Sequence, residues 1–344
     1  VGHVDRGYRP QDLAAARMDE DRNNWPDLGF TWSVPATARI RVCNADCDED
    51  SVEDRFVAVF GGGLGDPPSR PLGNFVYMVD IETGKVLWKK PVVGSVPADV
   101  TTVIAGDGYL KTIYFGTTAG RVYKVVLESG AMRLATVTLQ TRIAGVDVDV
   151  TTERLVGPAG DPKRYDPFEI FRTNGSPVYE EIAAIYVQQR QAYALGIGTG
   201  NRWDLWETTN DRGRYYTLLD TGFQDSDRDG TLNSPCAGCP TPLNESVYHA
   251  IDPDVAPGDL TNYLTDINDP TPGWYLDLDV GERVITEGFA LSGISIFTSF
   301  VPDEIENPDG TCSRTGESHI FIVGTVTGAG YWFPDPDNVN SRQR

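Results

Sequence analysis

Nine consecutive residues, Asp225-Ser226-Asp227-Arg228-Asp229-Gly230-Thr231-Leu232-Asn233, have types and spacing that could do chemistry. Carboxylates at every second position can be aimed at one point by an extended or turning backbone, and like charges brought that close repel one another. A hard cation removes the conflict, and calcium takes six to eight oxygen ligands at about 2.3–2.6 Å. Asp225, Asp227 and Asp229 offer carboxylates, Thr231 its carbonyl and Asn233 its side-chain oxygen, while Gly230 permits a sharp turn. The stretch therefore predicts a calcium loop; the competing reading is an acidic surface turn without an ion. It is not a complete EF-hand, because the twelfth position is Cys236 where that motif needs a bidentate Glu, and no helical pattern flanks it. Arg214–Leu219 upstream reads as a strand, so the loop is expected to leave a strand.

The 344 residues suffice for one large domain or two average ones, and a 40% hydrophobic content suffices for a sizeable core. A formal net charge of -21 disfavours nucleic acid and anionic membranes as partners. No run of about 18 apolar residues predicts membrane insertion. The chain opens at Val1 without a signal-peptide pattern, as expected of a processed chain or an excised fragment. Five cysteines fall as Cys43/Cys47, Cys236/Cys239 and Cys312, the two pairs in polar loops. That usage predicts a local Cys43–Cys47 disulfide, a second involving Cys236/Cys239 or Cys312, and an oxidising compartment. Zinc is the weaker reading, since His3, His249 and His319 lack ligand spacing.

The elements that must position the loop read as strands. Gln11–Met18 has the pattern of one helix, and Thr37–Val42 of a strand. Arg55–Phe60 runs into three glycines without the Lys-Ser/Thr of a phosphate loop. Two alternating runs flank the turn Glu82-Thr83-Gly84. Strand–glycine–turn–strand units recur at Thr112–Gly130, Tyr186–Gly200, Ser295–Phe300 and His319–Gly328, a loose period that points to propeller blades. A short helical turn is expected within 242–250, and the Asp/Pro/Gly-rich stretches 150–180, 233–272 and 301–317 read as inter-strand insertions. The expected organisation is all-β: an N-terminal extension over 1–50, a modified β-propeller with long insertions over 51–335, and a polar tail over 336–344.

In order and spacing, three groups of motifs resemble the C-terminal domain of PilY-type proteins, which are type IV pilus biogenesis factors and tip adhesins. The first is Gly73-Asn74, Val96–Val100, Asp107-Gly108-Tyr109, Ile113–Gly116 and Gly120–Val125. The second is Gly198–Arg202 with Arg214-Tyr215-Tyr216 and the Asp225 loop, and the third is Phe297–Pro302, Cys312 and Gly316-Glu317-Ser318. The resemblance spans roughly 55–330 and implies a modified propeller with calcium held by Asp225, Asp227, Asp229, Thr231 and Asn233. It also implies export to the cell surface, pilus tip or periplasm, minor pilins as partners, and contact with a host or abiotic surface. Asn233 stands where the family has a final Asp, which removes one ligand charge. A second acidic run of the family is reduced here to Asp107, with Lys111 at a carboxylate position, so no calcium is expected there. The resemblance does not reach the von Willebrand-like N-terminal domain of full-length members.

No enzyme is expected. Asp80, Thr83, Gly84, Lys85 and Trp88 match the propeller repeat of quinoprotein dehydrogenases, but the adjacent cysteines of those enzymes are missing, as is a Gly-x-Ser-x-Gly elbow. A carbohydrate-binding propeller is a further alternative, with Trp203, Trp206 and Trp274 as stacking candidates and core packing as the plainer account of them.

Overall fold

The computed structural model describes residues 18–20, 26–44, 46–65, 69–127, 130–143, 145–207, 211–236, 238–252, 263–264, 271–291, 293–306 and 312–330. The helix expected over Gln11–Met18 and the tail over 336–344 lie outside them, apart from Met18. Two compact units emerge, Val1–Phe115 with Lys124–Pro167, and Gly116–Tyr123 with Phe168–Arg344. The described residues contain no α-helix, only single 3-10 turns at Glu49–Ser51 and Glu245–Val247, the latter capped by the Asn244 side chain. No helix among them is long and apolar enough to cross a membrane. The expected all-β, propeller-like architecture is what the chain adopts.

In the first unit, β1 (Met18–Asp19), β2 (Ala36–Cys43), β3 (Glu53–Gly61), β4 (Phe75–Asp80) and β5 (Val86–Pro91) precede β6 (Thr101–Ile104) and β7 (Leu110–Gly116). Then come β8 (Arg121–Val126), of which only 124–126 belong to this unit, β9 (Met132–Ile143) and β10 (Val146–Val156). β2 to β5 form an antiparallel meander, and β9 joins β2 in parallel, with Val42 opposite Met132. Period two decides the faces: Ala38, Ile40 and Val42 of β2 are buried, whereas Arg39 and Arg41 point outward onto the Tyr109 ring. β4 is buried on both faces and reads as a continuous apolar run.

The turn after β4 is built by its last residue. Asp80 accepts from the Thr83 amide (2.8 Å) and from Arg55 Nη1 (3.0 Å), and Gly84 takes φ 69° to close the hairpin. Trp88, at the end of that repeat, is buried and donates to the Tyr165 carbonyl at 3.1 Å. Lys89, beside it on β5, is buried between Glu20 and Asp27 and lies over the Phe75 ring at 4.5 Å.

In the second unit, residues 116–123 accompany β11 (Phe168–Arg172), β12 (Ala183–Val187), β13 (Ala192–Gly198) and β14 (Arg212–Asp220). β15 (His249–Ile251), β16 (Gly273–Val280), β17 (Arg283–Val284), β18 (Phe289–Leu291), β19 (Ile294–Glu306) and β20 (Cys312–Gly324) follow. One sheet runs β12-β13-β14-β16-β15, antiparallel except for β15; in another, β17, β18 and β20 all pair with β19. The core is an aromatic stack, with Tyr215 against Phe297 at 3.8 Å between centroids and Phe297 against Phe321 at 4.7 Å. Trp274 joins this cluster fully buried and donates to the Thr325 carbonyl at 3.0 Å, so it is a core residue and not a stacking platform.

Two of the expected insertions contain strand. Of the stretch 150–180, residues 168–172 are β11 and 150–156 belong to β10, which pairs with β9 in register from Val146–Ile143 to Val156–Arg133. Residues 301–306 and 312–317 lie on the paired strands β19 and β20, where Pro302 faces Gly316. Polar residues are compatible with both hairpins because much of their surface faces solvent, as the burial of β9 and β10 shows.

Two measurements check this account. Burial works against the Asp80 carboxylate, but the Thr83 and Arg55 contacts prevail and hold its pKa below the ordinary aspartate value. Its contribution is therefore complete above the unfolded-state pKa of about 3.9 and is lost as pH falls through the lower folded value. Asp80→Ala should lower urea-unfolding stability by about 2 kcal/mol at pH 7, with the gap to wild type closing in acid. In β13, a Cβ on Gly196 would lie 2.1 Å from Tyr215 Oη. Gly196→Ala should cost about 1–3 kcal/mol by overpacking, and adding Tyr215→Phe should recover part of that loss; a purely additive pair would refute the contact as the cause.

Candidate metal centre

The acidic loop leaves the end of β14, as its sequence implies. Asp220 Oδ1 accepts from the amides of Gly222 (2.8 Å) and Phe223 (2.7 Å), which stops the strand, and buried Phe223 holds the exit in place. The loop then closes on itself at a neck, where the Asn233 amide donates to the Gln224 carbonyl at 2.9 Å and Asn233 Oδ1 accepts from the Ser226 amide.

Inside the neck, Asp225, Asp227 and Asp229 each present a carboxylate oxygen within 4.8 Å of the other two. Asp225 is buried, whereas Asp227 and Asp229 are exposed. Asp225 accepts from the amides of Asp229 (3.2 Å) and Gly230 (3.1 Å), and Asp229 Oδ1 accepts from the Thr231 amide (2.7 Å). Burial raises the Asp225 pKa; the Gly230 amide opposes the rise, while hydrogen bonding to Asp227 and the charge of Asp229 reinforce it. Arg228 adopts φ 59° and Gly230 φ 90°, both in the left-handed region. Arg228 compensates by donating from Nη1 to the Asp225 carbonyl at 2.6 Å. Thr231 and Asn233 lie at the loop exit, Thr231 bridged to Glu169 and Asn233 bound to Ser226.

The motif does not reveal what holds the loop down. β11 does so: the Glu169 amide donates to the Gly230 carbonyl (2.9 Å), the Leu232 amide to the Glu169 carbonyl (3.0 Å), and Leu232 is buried as a peg. The Glu169 side chain is itself buried and is gripped by Arg121 (2.9 Å) and by Arg172 through both oxygens (2.7 and 3.0 Å). Phe168-Glu169-Ile170-Phe171 carried a strand signal within a stretch whose Asp and Pro content reads as loop.

The donor set is hard oxygen throughout, with no thiolate or imidazole among the three clustered groups, which fits calcium. Cys43–Cys47 is bridged as expected, and of the alternatives for a second bridge Cys236–Cys239 is formed, just beyond the loop. Elsewhere in the unit, Ser299 Oγ and His319 Nδ1 (2.8 Å) both contact the same Glu282 oxygen. The serine hydroxyl is thus spent on the carboxylate instead of meeting the imidazole as a nucleophile would. A neighbouring cavity of about 430 Å³ has Arg283 in its wall, and that guanidinium is occupied with the carbonyls of Asn201, Asp204 and Glu207. Trp203 and Trp206 of the same loop are partly exposed, with Trp206 edge-on to Phe300 at 5.4 Å.

No family model and no curated protein matches the chain. Among solved structures, the Kuenenia stuttgartiensis hydrazine synthase overlaps 94% of this chain and 70% of its own at 10% identity, but a TM-score of 0.20 carries no argument. The crystal structure of the Pseudomonas aeruginosa PilY1 C-terminal domain is similar over 90% of this chain and 60% of that one, with 16% identity and a TM-score of 0.54. The chain thus spans about three-fifths of that domain, and the architecture it shares with it is the one the sequence motifs imply.

Proposed function

We propose that the chain is a non-enzymatic, calcium-binding propeller domain of a type IV pilus tip-associated protein, exported to the cell surface. It acts there in pilus biogenesis, in the balance of extension and retraction, and in adhesion, with minor pilins as partners. The observation that carries the reading is the convergence of Asp225, Asp227 and Asp229 on a loop fastened to β11. The PilY-type motifs and the likeness to the PilY1 C-terminal domain support the pilus context. Asp225, Asp227 and Asp229 would hold the ion with the Thr231 carbonyl and the Asn233 side chain; calcium supplies the positive charge that lets all three carboxylates stay ionised. The chain's own contribution is positional. The Gly230 and Asp229 amides orient Asp225, and β11 fixes the loop exit. Among the described residues no base or nucleophile is placed against the carboxylates, and the ion serves as a regulatory clasp.

Calcium should bind the wild-type protein with a measurable heat. At 100 times the dissociation constant it should add about 2.7 kcal/mol of stability, so chelation lowers the melting temperature. Asp227→Ala should abolish both effects; a wild-type protein showing neither heat nor shift defeats the assignment. In cells, Asp229→Ala should alter surface piliation or twitching at near-normal protein levels. Unchanged piliation and motility with the site shown empty would leave the ion a stabiliser only.

A further inference from the structure

We infer that the Cys236–Cys239 disulfide is a reversible redox modification site that sets the loop's affinity for its cation; the inference rests on the calcium reading above. The observation behind it is a shared anchor. The segment after Asn233 leaves β11 and returns to it: Leu232 donates to Glu169, Leu243 donates to the Ile170 carbonyl (3.1 Å), and Arg172 donates to the Leu243 carbonyl (2.8 Å). The acidic loop and the cysteine loop are therefore consecutive excursions hung from one short strand, with Asn233 between them. The disulfide turn is fastened beside that residue. Ser234 Oγ donates to the Cys236 carbonyl (2.7 Å) and reaches the Cys239 carbonyl (3.4 Å), while the Cys239 amide donates to Cys236 (3.2 Å).

The other disulfide provides an internal contrast. Cys43 is buried at the end of β2, with Sγ against the Met132 carbonyl, so that bridge offers one half-buried cysteine, Cys47, whereas Cys236 and Cys239 are both half-buried and Gly238 between them is exposed. A dithiol reductant attacks one sulfur of the half-buried Cys236–Cys239 pair, and exchange then completes the reaction. The protein gains two electrons and two protons as two thiols, and the reductant leaves as its own disulfide. Opening this ring frees the backbone that keeps Asn233 at the neck, so calcium must order it on binding and affinity falls. By linkage, bound calcium must protect the disulfide from reduction by the same factor.

The test titrates calcium into three proteins: oxidised wild type, wild type treated with dithiothreitol, and Cys236→Ser/Cys239→Ser, which needs no reductant. Alkylation and peptide mass spectrometry follow each bond. The expected result is that Cys236–Cys239 opens before Cys43–Cys47, that the reduced and double-serine proteins bind calcium about tenfold more weakly, a difference of 1.4 kcal/mol, and that calcium slows the opening. Equal affinities in all three proteins, or prior opening of Cys43–Cys47, would overturn the inference and leave the calcium site standing. Absence of binding to the oxidised protein would remove both.

Discussion

Mutual repulsion among three carboxylates is the constraint around which the second unit's site is built. Asp225 is buried, and its neighbours push its proton affinity up. Local amides from Asp229 and Gly230 answer part of that charge, at the expense of left-handed backbone at Arg228 and Gly230. The remainder of the answer comes from outside the loop, where Glu169 and Arg172 of β11 and Arg121 of β8 form an ion-paired footing. Footing and loop are complementary: the first makes the second's geometry affordable, and neither has an evident purpose without the other.

The loop was legible because its information is local. Alternating carboxylates, a glycine and an amide within nine residues specify both the turn and the chemistry. Its footing was not, because Arg121 and Glu169 meet across 48 residues of sequence and no local pattern announces such a pairing. The same division holds for the fold. The turn after Asp80 and the strand into Asp225 were readable from unbroken apolar runs and turn chemistry, since both faces of each element are largely dry. β10 was missed although Val146, Val148 and Val150 alternate with Asp147 and Asp149, because both its faces are largely wet and acidic residues resemble loop. Composition discriminates strands by burial, and an exposed hairpin removes the contrast on which it relies.

Trp88 and Trp274 show how a weakly periodic sequence repeats a structural device. Each is fully buried, and each spends its only polar atom on a main-chain carbonyl, of Tyr165 and of Thr325. The indole thus ties one strand to a segment far along the chain within its own unit. That is a structural explanation for the repeat that otherwise suggested a quinoprotein, and it places Trp274 out of reach of any ligand.

The parallel pairing of β2 with β9 has a kinetic meaning. Cys43 and Met132 meet 89 residues apart along the chain, so this pairing in the first sheet closes a wide loop. High contact order of this kind slows folding, and the pairing itself is short, Val42 with Met132 and Cys43 with Arg133. The Cys43–Cys47 bridge sits at that pairing. Its ring is too small to shorten that wide loop, but it constrains the end of β2 at the point where the distant β9 pairs with it.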